Sequence, residues 1–94
     1  MFKQVLDQMR ERVRALHYVM TIHAEEEMDG DGLTIFDVEH VIVTGQIVER
    51  QEDAETGEWK YLVRGRSIEG DSAVVVSKLS LTGKLVIITV YVEQ

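Results

Sequence analysis

Three side chains in this sequence are of types that could move a proton and hold a phosphate. His23 lies next to the start of a helical segment, and histidine exchanges protons readily near neutral pH. Lys60 and Arg64 lie four residues apart in a strand-like segment, so the alternation of side chains places them on one face of a sheet. The pattern predicts a candidate site made of one imidazole and a cationic strip.

Each of these residues also has an ordinary structural interpretation. An antiparallel sheet usually buries one face, so Lys60 and Arg64 could simply belong to its solvated face. A histidine in this position could be packed by its ring and hydrogen-bonded to backbone. His17 and His40 have no partner at metal-ligand spacing, so no zinc site is expected.

One acidic segment imitates a metal-binding motif. Residues 27–32, Glu-x-Asp-x-Asp-Gly, resemble the front of a calcium-binding EF-hand loop. The match fails because position one is glutamate and position twelve is Val38, where the loop requires a bidentate glutamate. We therefore expect no calcium site and interpret the run as a solvated helix end and turn.

Composition limits the class of protein. Ninety-four residues with 45% hydrophobic content predict a single domain over residues 1–94. The chain has no cysteine, no apolar run near the roughly 18 residues of a membrane span, and no signal-like start, so we expect a cytoplasmic protein without membrane contact. The formal net charge of −7 is unlike the basic footprint of most nucleic-acid-binding proteins and would suit a basic protein partner.

The front half of the chain has the pattern of helices that would position His23. Apolar residues at spacings of three and four predict an amphipathic helix over about residues 2–16. Residues 18–20 are expected to form a short extended link. Thr21 is then placed to cap a second helix, which should end in the Asp-Gly-Asp-Gly of residues 29–32.

A third helix leads directly into strands. Thr34, with Asp37 three residues later, predicts a capping box, and Gly45 is expected in the left-handed conformation that ends many helices. From residue 46 the apolar period changes to two, and short turns make consecutive strands antiparallel neighbours. Trp59 and Tyr61 could stack bases, but we expect their face to pack against the helices. The expected strands are 47–51, 59–64, 72–79 and 85–92.

Together these elements predict an α+β fold in which N-terminal helices pack on one face of a four-stranded antiparallel sheet. The helices would carry His23, and the sheet would carry Lys60 and Arg64. A chemical site therefore requires that one helix bring its imidazole to the cations of the second strand.

A series of short motifs runs along the chain: Thr21-x-His23-Ala24-x-x-x-Met28, Gly32-Leu33-Thr34, Asp37-Val38, Gly45, Trp59-Lys60-Tyr61-x-Val63-x-Gly65 and Ile88-Thr89-Val90-Tyr91. Their order and spacing resemble those of a small bacterial family of domains of unknown function. That family is grouped with the RelE/MqsR-like toxins of toxin–antitoxin pairs, whose fold is helices followed by an antiparallel sheet. The resemblance covers about residues 20 to 92 and leaves the first helix outside.

The resemblance implies an mRNA-directed, metal-independent endoribonuclease with no cofactor, silenced by an antitoxin protein that in some pairs carries a zinc finger. Cleavage of this kind resembles general acid–base catalysis, with cations stabilising the pentacoordinate phosphate. Carried over residue by residue, the resemblance assigns His23, Lys60, Arg64 and Tyr91 as the catalytic residues.

The chain departs from the family pattern just after the histidine. Glu25, Glu27 and Asp31 stand where relatives carry arginines, which puts negative charge where an RNA backbone could pass. RNA would then approach the sheet alone, or the protein would be a catalytically inactive acidic module that binds a basic protein. A third hypothesis is a homodimer joined through a sheet edge.

Overall fold

The computed structural model describes residues 1–94 and contains three helices and one five-stranded sheet. The strand order across the sheet is β1-β5-β4-β3-β2. Strand β1 runs parallel to β5, and the other three pairs are antiparallel. The elements are α1 Lys3–Arg14, β1 Tyr18–Met20, α2 Ile22–Gly30, α3 Ile35–Thr44, β2 Gln46–Glu52, β3 Trp59–Arg66, β4 Ser72–Leu79 and β5 Leu85–Val92.

The α+β class is confirmed, but the expected sheet of four antiparallel strands is wrong. The supposed link at residues 18–20 is a fifth strand, and its residues pair in parallel with Leu85, Val86 and Ile87. Three residues are too few to show an alternating pattern. Their partner strand also lies at the far end of the chain, so no local signal marks the pairing.

Helix α1 forms because one stripe of its surface is apolar, and Leu6, Met9 and Val13 of that stripe are buried. It ends two residues earlier than its pattern predicts, because Leu16 has a left-handed backbone with φ of 55°. None of the three helices has the length and apolar character needed to cross a membrane.

The predicted caps of α2 and α3 are both present. The Thr21 hydroxyl accepts the backbone N–H of Ala24 at 3.0 Å at the start of α2. At the start of α3, Thr34 and Asp37 form the reciprocal capping box. These bonds satisfy N–H groups that a helix start otherwise leaves without partners.

Gly45 ends α3 for a different reason from the one predicted. Its φ of −85° and ψ of −167° are extended and not left-handed, so the sequence expectation is wrong. A Cβ atom here would lie 2.5 Å from the carbonyl oxygens of both Arg64 and Val41. Glycine is required because α3 approaches β3 at backbone contact, and Gly65 on β3 faces the same contact.

The core lies between the helices and the sheet. Buried residues of α1, α2 and α3 pack on alternate residues of β3, β4 and β5, including Val63, Val75 and Ile87. The expectation that Trp59 is a core residue is wrong, since it is 42% exposed and stacks on the guanidinium of Arg50 at 4.0 Å. The expectation holds better for Tyr61, which is half-buried and packs against the core cluster.

Candidate functional site

The face of the sheet turned away from the core is called the open face below. Strand alternation places Lys60, Arg64 and Tyr91 there, because their neighbours Tyr61, Val63 and Val90 point into the core or pack on it. In the strand register, Arg64 and Tyr91 flank the fully buried Val74 from its two sides. The open face therefore brings these three predicted site residues onto one surface.

Arg64 is already engaged by a carboxylate of this chain. Its Nε donates to Oε1 of Glu93 at 2.7 Å and its Nη2 donates to Oε2 at 2.9 Å. The hydroxyl of Ser72 also donates to Glu93 Oε1, at 3.0 Å. The Glu93 hydrogen bonds raise the pKa of Arg64, and the same bonds lower the pKa of Glu93. A phosphate bound by Arg64 would have to displace this carboxylate or share the guanidinium with it.

The two lysines of the open face differ in their pairing. Lys78 lies 3.3 Å from the carboxylate of Glu58. Lys60 is half-buried, faces Gln51 of β2 in the register, and has no carboxylate within ion-pair distance. Of these two lysines, Lys60 is therefore the one without a paired carboxylate.

His23 does not lie beside these residues. It is on α2, its side chain is 68% exposed, and its Nε2 lies 3.2 Å from Oε1 of Glu27. Helix α2 runs beside β5, and strands β4 and β5 separate it from β3, which carries Lys60 and Arg64. None of the four predicted residues lines any of the three clefts in the surface. Their catalytic roles stay predictions.

Two acidic residues, one in the last turns of α2 and one just after its end, have a structural role that sequence reasoning missed. Strand β1 covers the outer edge of β5 only as far as Ile87. Beyond it, Glu27 accepts the backbone N–H of Val90 at 3.2 Å, and Asp31 accepts that of Val92 at 2.9 Å. Two side chains one helical turn apart thus take the place of a neighbouring strand. In the sequence, only the spacing of four residues between Glu27 and Asp31 indicates this role.

We expect Glu27→Ala to lower the free energy of unfolding by about 1–3 kcal/mol, because the N–H of the buried residue Val90 would lose its acceptor. Urea unfolding of the wild type and the variant measures the loss. The matched control is Glu26→Ala, since Glu26 is an exposed neighbour on the same helix. Equal stability of the two variants would contradict the role of Glu27 at the sheet edge.

The fold and the open face define a small α+β protein whose sheet is covered on one side only. Comparison with protein-family models identifies the family. The model described as "Domain of unknown function (DUF4258)" matches residues 20–92, and the chain belongs to that family. The match runs from the last residue of β1 to the last residue of β5 and leaves α1 outside. No curated protein and no solved structure matches the chain.

Proposed function

We propose that this protein is the toxin-like member of a bacterial toxin–antitoxin pair, and that it binds and cleaves mRNA on the open face without a metal ion. A RelE/MqsR-like relationship and an antitoxin partner are parts of the same proposal. The observation that supports it best is the placement of Lys60, Arg64 and Tyr91 on one sheet face that no helix covers.

The chemistry follows from which groups the open face offers. Lys60 and Arg64 are four residues apart, so their Cα atoms lie about 13 Å apart along β3 and would hold two different phosphates of one strand. In metal-independent cleavage the 2′-hydroxyl attacks the adjacent phosphorus, loses its proton to a base, and the leaving 5′-oxygen gains a proton. A lysine or a tyrosine can exchange such protons, and the cations stabilise the charge of the pentacoordinate phosphate.

His23 enters this proposal only along one route. An RNA strand that crosses β5 and continues over its outer edge would reach α2, where His23 is exposed. That route also passes Glu25 and Glu26, which are exposed on the same helix and would repel phosphate. We therefore assign phosphate binding to the open face, and the variant His23→Ala tests whether the imidazole transfers a proton.

The test is RNA cleavage by the purified protein, free of any partner, together with growth arrest when it is expressed. We expect Lys60→Ala to reduce cleavage about a hundred-fold, because it removes a charge that stabilises the transition state. Lys3→Ala is the matched control, since Lys3 is an exposed cation of α1 away from the open face. His23→Ala decides whether the imidazole takes part.

A second candidate is a non-catalytic module that binds a basic protein. It is favoured by the internal pairing of two open-face cations, Arg64 with Glu93 and Lys78 with Glu58, and by the net charge of −7. Three results together would select this module over the nuclease. The protein would neither cleave RNA nor arrest growth, and Lys60→Ala would give the same result as the wild type in both assays. The protein would also form a stoichiometric complex with another protein and would not bind RNA at low salt.

A further inference from the structure

A groove on the helix side of the protein gathers three of its nine exposed large apolar side chains. Leu16, Phe36 and Ile68 are 73%, 64% and 61% exposed, and all three line this groove of about 470 Å³. Val13 of α1 and Val43 of α3 form its apolar floor. Scattered apolar residues are ordinary on a surface, but a contiguous patch marks an interaction site.

Leu16 stands where the backbone favours glycine. The end of α1 is a Schellman motif, in which the N–H of His17 bonds the carbonyl of Arg12 and the N–H of Leu16 bonds that of Val13. The left-handed position of this motif, with φ of 55°, is occupied by leucine, whose side chain gains little burial within this chain. Leucine at this position strains the backbone and is not compensated by burial in the isolated protein. This indicates that the exposed side chain has another use.

We infer that this groove binds a short, positively charged amphipathic helix of a partner protein. The inference does not depend on the proposed nuclease activity, because the groove lies among the helices, and the open face is the opposite side of the sheet. The three exposed side chains offer on the order of 400 Å², about half of what each subunit of a stable dimer buries, so a single helix fits better than a second copy.

The elements that line the groove also favour a helix over an extended peptide. An extended peptide gains affinity by pairing its backbone with a sheet edge. Here Val13 and Leu16 come from α1 and its end, and Phe36 and Val43 come from α3. Ile68 comes from the loop between β3 and β4, so no strand edge borders the groove. A helix satisfies its own backbone and needs only apolar anchors. From Phe36 to Val43 the α3 side of the groove spans about 10 Å, or two turns of such a helix.

The net charge of this protein favours a partner helix that is positively charged. The rim carries Arg14, Glu39 and His40, and Glu39 already accepts the hydroxyl of Tyr18 at 2.6 Å. The rim is thus nearly balanced, whereas the protein as a whole carries −7. That field attracts a cationic helix, and the apolar floor then fixes its position.

The test uses a fluorescein-labelled helical peptide of about fourteen residues, with leucines at i, i+3, i+4 and i+7 and lysine and alanine elsewhere. We expect saturable binding to the full chain that weakens but persists in high salt, because salt screens the net-charge attraction and not the apolar contact. We expect at least a ten-fold weaker affinity for Phe36→Asp. A peptide of the same composition without the apolar stripe should not bind. Val48→Asp is the control, since Val48 is an exposed apolar residue of β2 outside the groove.

Leu16→Gly separates binding from folding. Glycine relieves the left-handed position, so we expect this variant to unfold at a higher temperature than the wild type while binding the peptide more weakly. The inference would be overturned if the peptides with and without the apolar stripe bound equally well, or if high salt abolished binding. Wild-type affinity of Phe36→Asp for the striped peptide would overturn it too. A stable dimer that Phe36→Asp dissociates would also overturn it, because a second copy would then occupy the groove.

Discussion

Gly45→Ala is expected to destabilise the protein by about 3 kcal/mol or more, which corresponds to a fall in the unfolding temperature of roughly 12–24 °C for a domain of this size. The added Cβ would lie 2.5 Å from two backbone carbonyl oxygens, those of Arg64 and Val41. Backbone atoms cannot rotate away as a side chain does, so α3 would have to move off β3. Thermal and urea unfolding both measure the loss.

The control for this prediction is Gly30→Ala. Gly30 is the last residue of α2, and a Cβ atom there would have nothing within 4 Å. Alanine favours helix over glycine, so we expect this variant to match or exceed the wild type in stability. A Gly45→Ala protein as stable as Gly30→Ala would show that α3 does not need its close approach to β3.

Much of the fold could be predicted because its signals are local. The Thr34–Asp37 capping box, the bounds of β4 and β5, and the alternation that puts Lys60 and Arg64 on one face all follow from neighbouring residues. Turn length fixes the antiparallel neighbours β2 to β5 in the same way. Such features depend on chain geometry over a few residues, and tertiary packing did not override them.

The missed features all depend on distant contacts. The parallel strand β1 pairs with the last strand of the chain, and Gly45 is required by the backbone of β3 and not by its own φ. Trp59 is on the predicted face, but it lies near the outer edge of the sheet, on β3 next to the edge strand β2, where no helix buries it. Alternation within a strand predicts a face, but only the strand order decides what covers it.

The candidate site likewise combines features that depend on local sequence with features that depend on distant contacts. Lys60, Arg64 and Tyr91 share the open face, which strand alternation could predict for the first two. The carboxylate of Glu93 on Arg64 could not be predicted, because it requires the register between β4 and the end of β5. The position of His23 depends on which strand lies at the edge beside α2. The distance between the imidazole and the cations is therefore a property of topology.

Asp37→Ala is expected to cost about 3 kcal/mol, because one buried carboxylate serves two parts of the fold. Its Oδ2 accepts the N–H of Thr34 at 2.8 Å and so completes the cap of α3. Its Oδ1 accepts the N–H of Ile68 at 2.9 Å and holds the loop between β3 and β4. The variant would leave both N–H groups without this acceptor, and urea unfolding at neutral pH would show the loss.

The pH dependence tests the same carboxylate independently. Hydrogen bonds from the backbone of Thr34 and Ile68 lower the pKa of Asp37 below its ordinary value. Because the folded pKa is below the unfolded one, the stabilisation is complete above about pH 4 and is lost as the pH falls through the folded pKa. The stability gap between wild type and Asp37→Asn should therefore narrow below about pH 4. Asp29→Asn, at an exposed aspartate of α2, should show no such gap. A gap for Asp37→Asn that stayed constant from neutral to strongly acidic pH would mean that the ionised carboxylate does not join α3 to the loop.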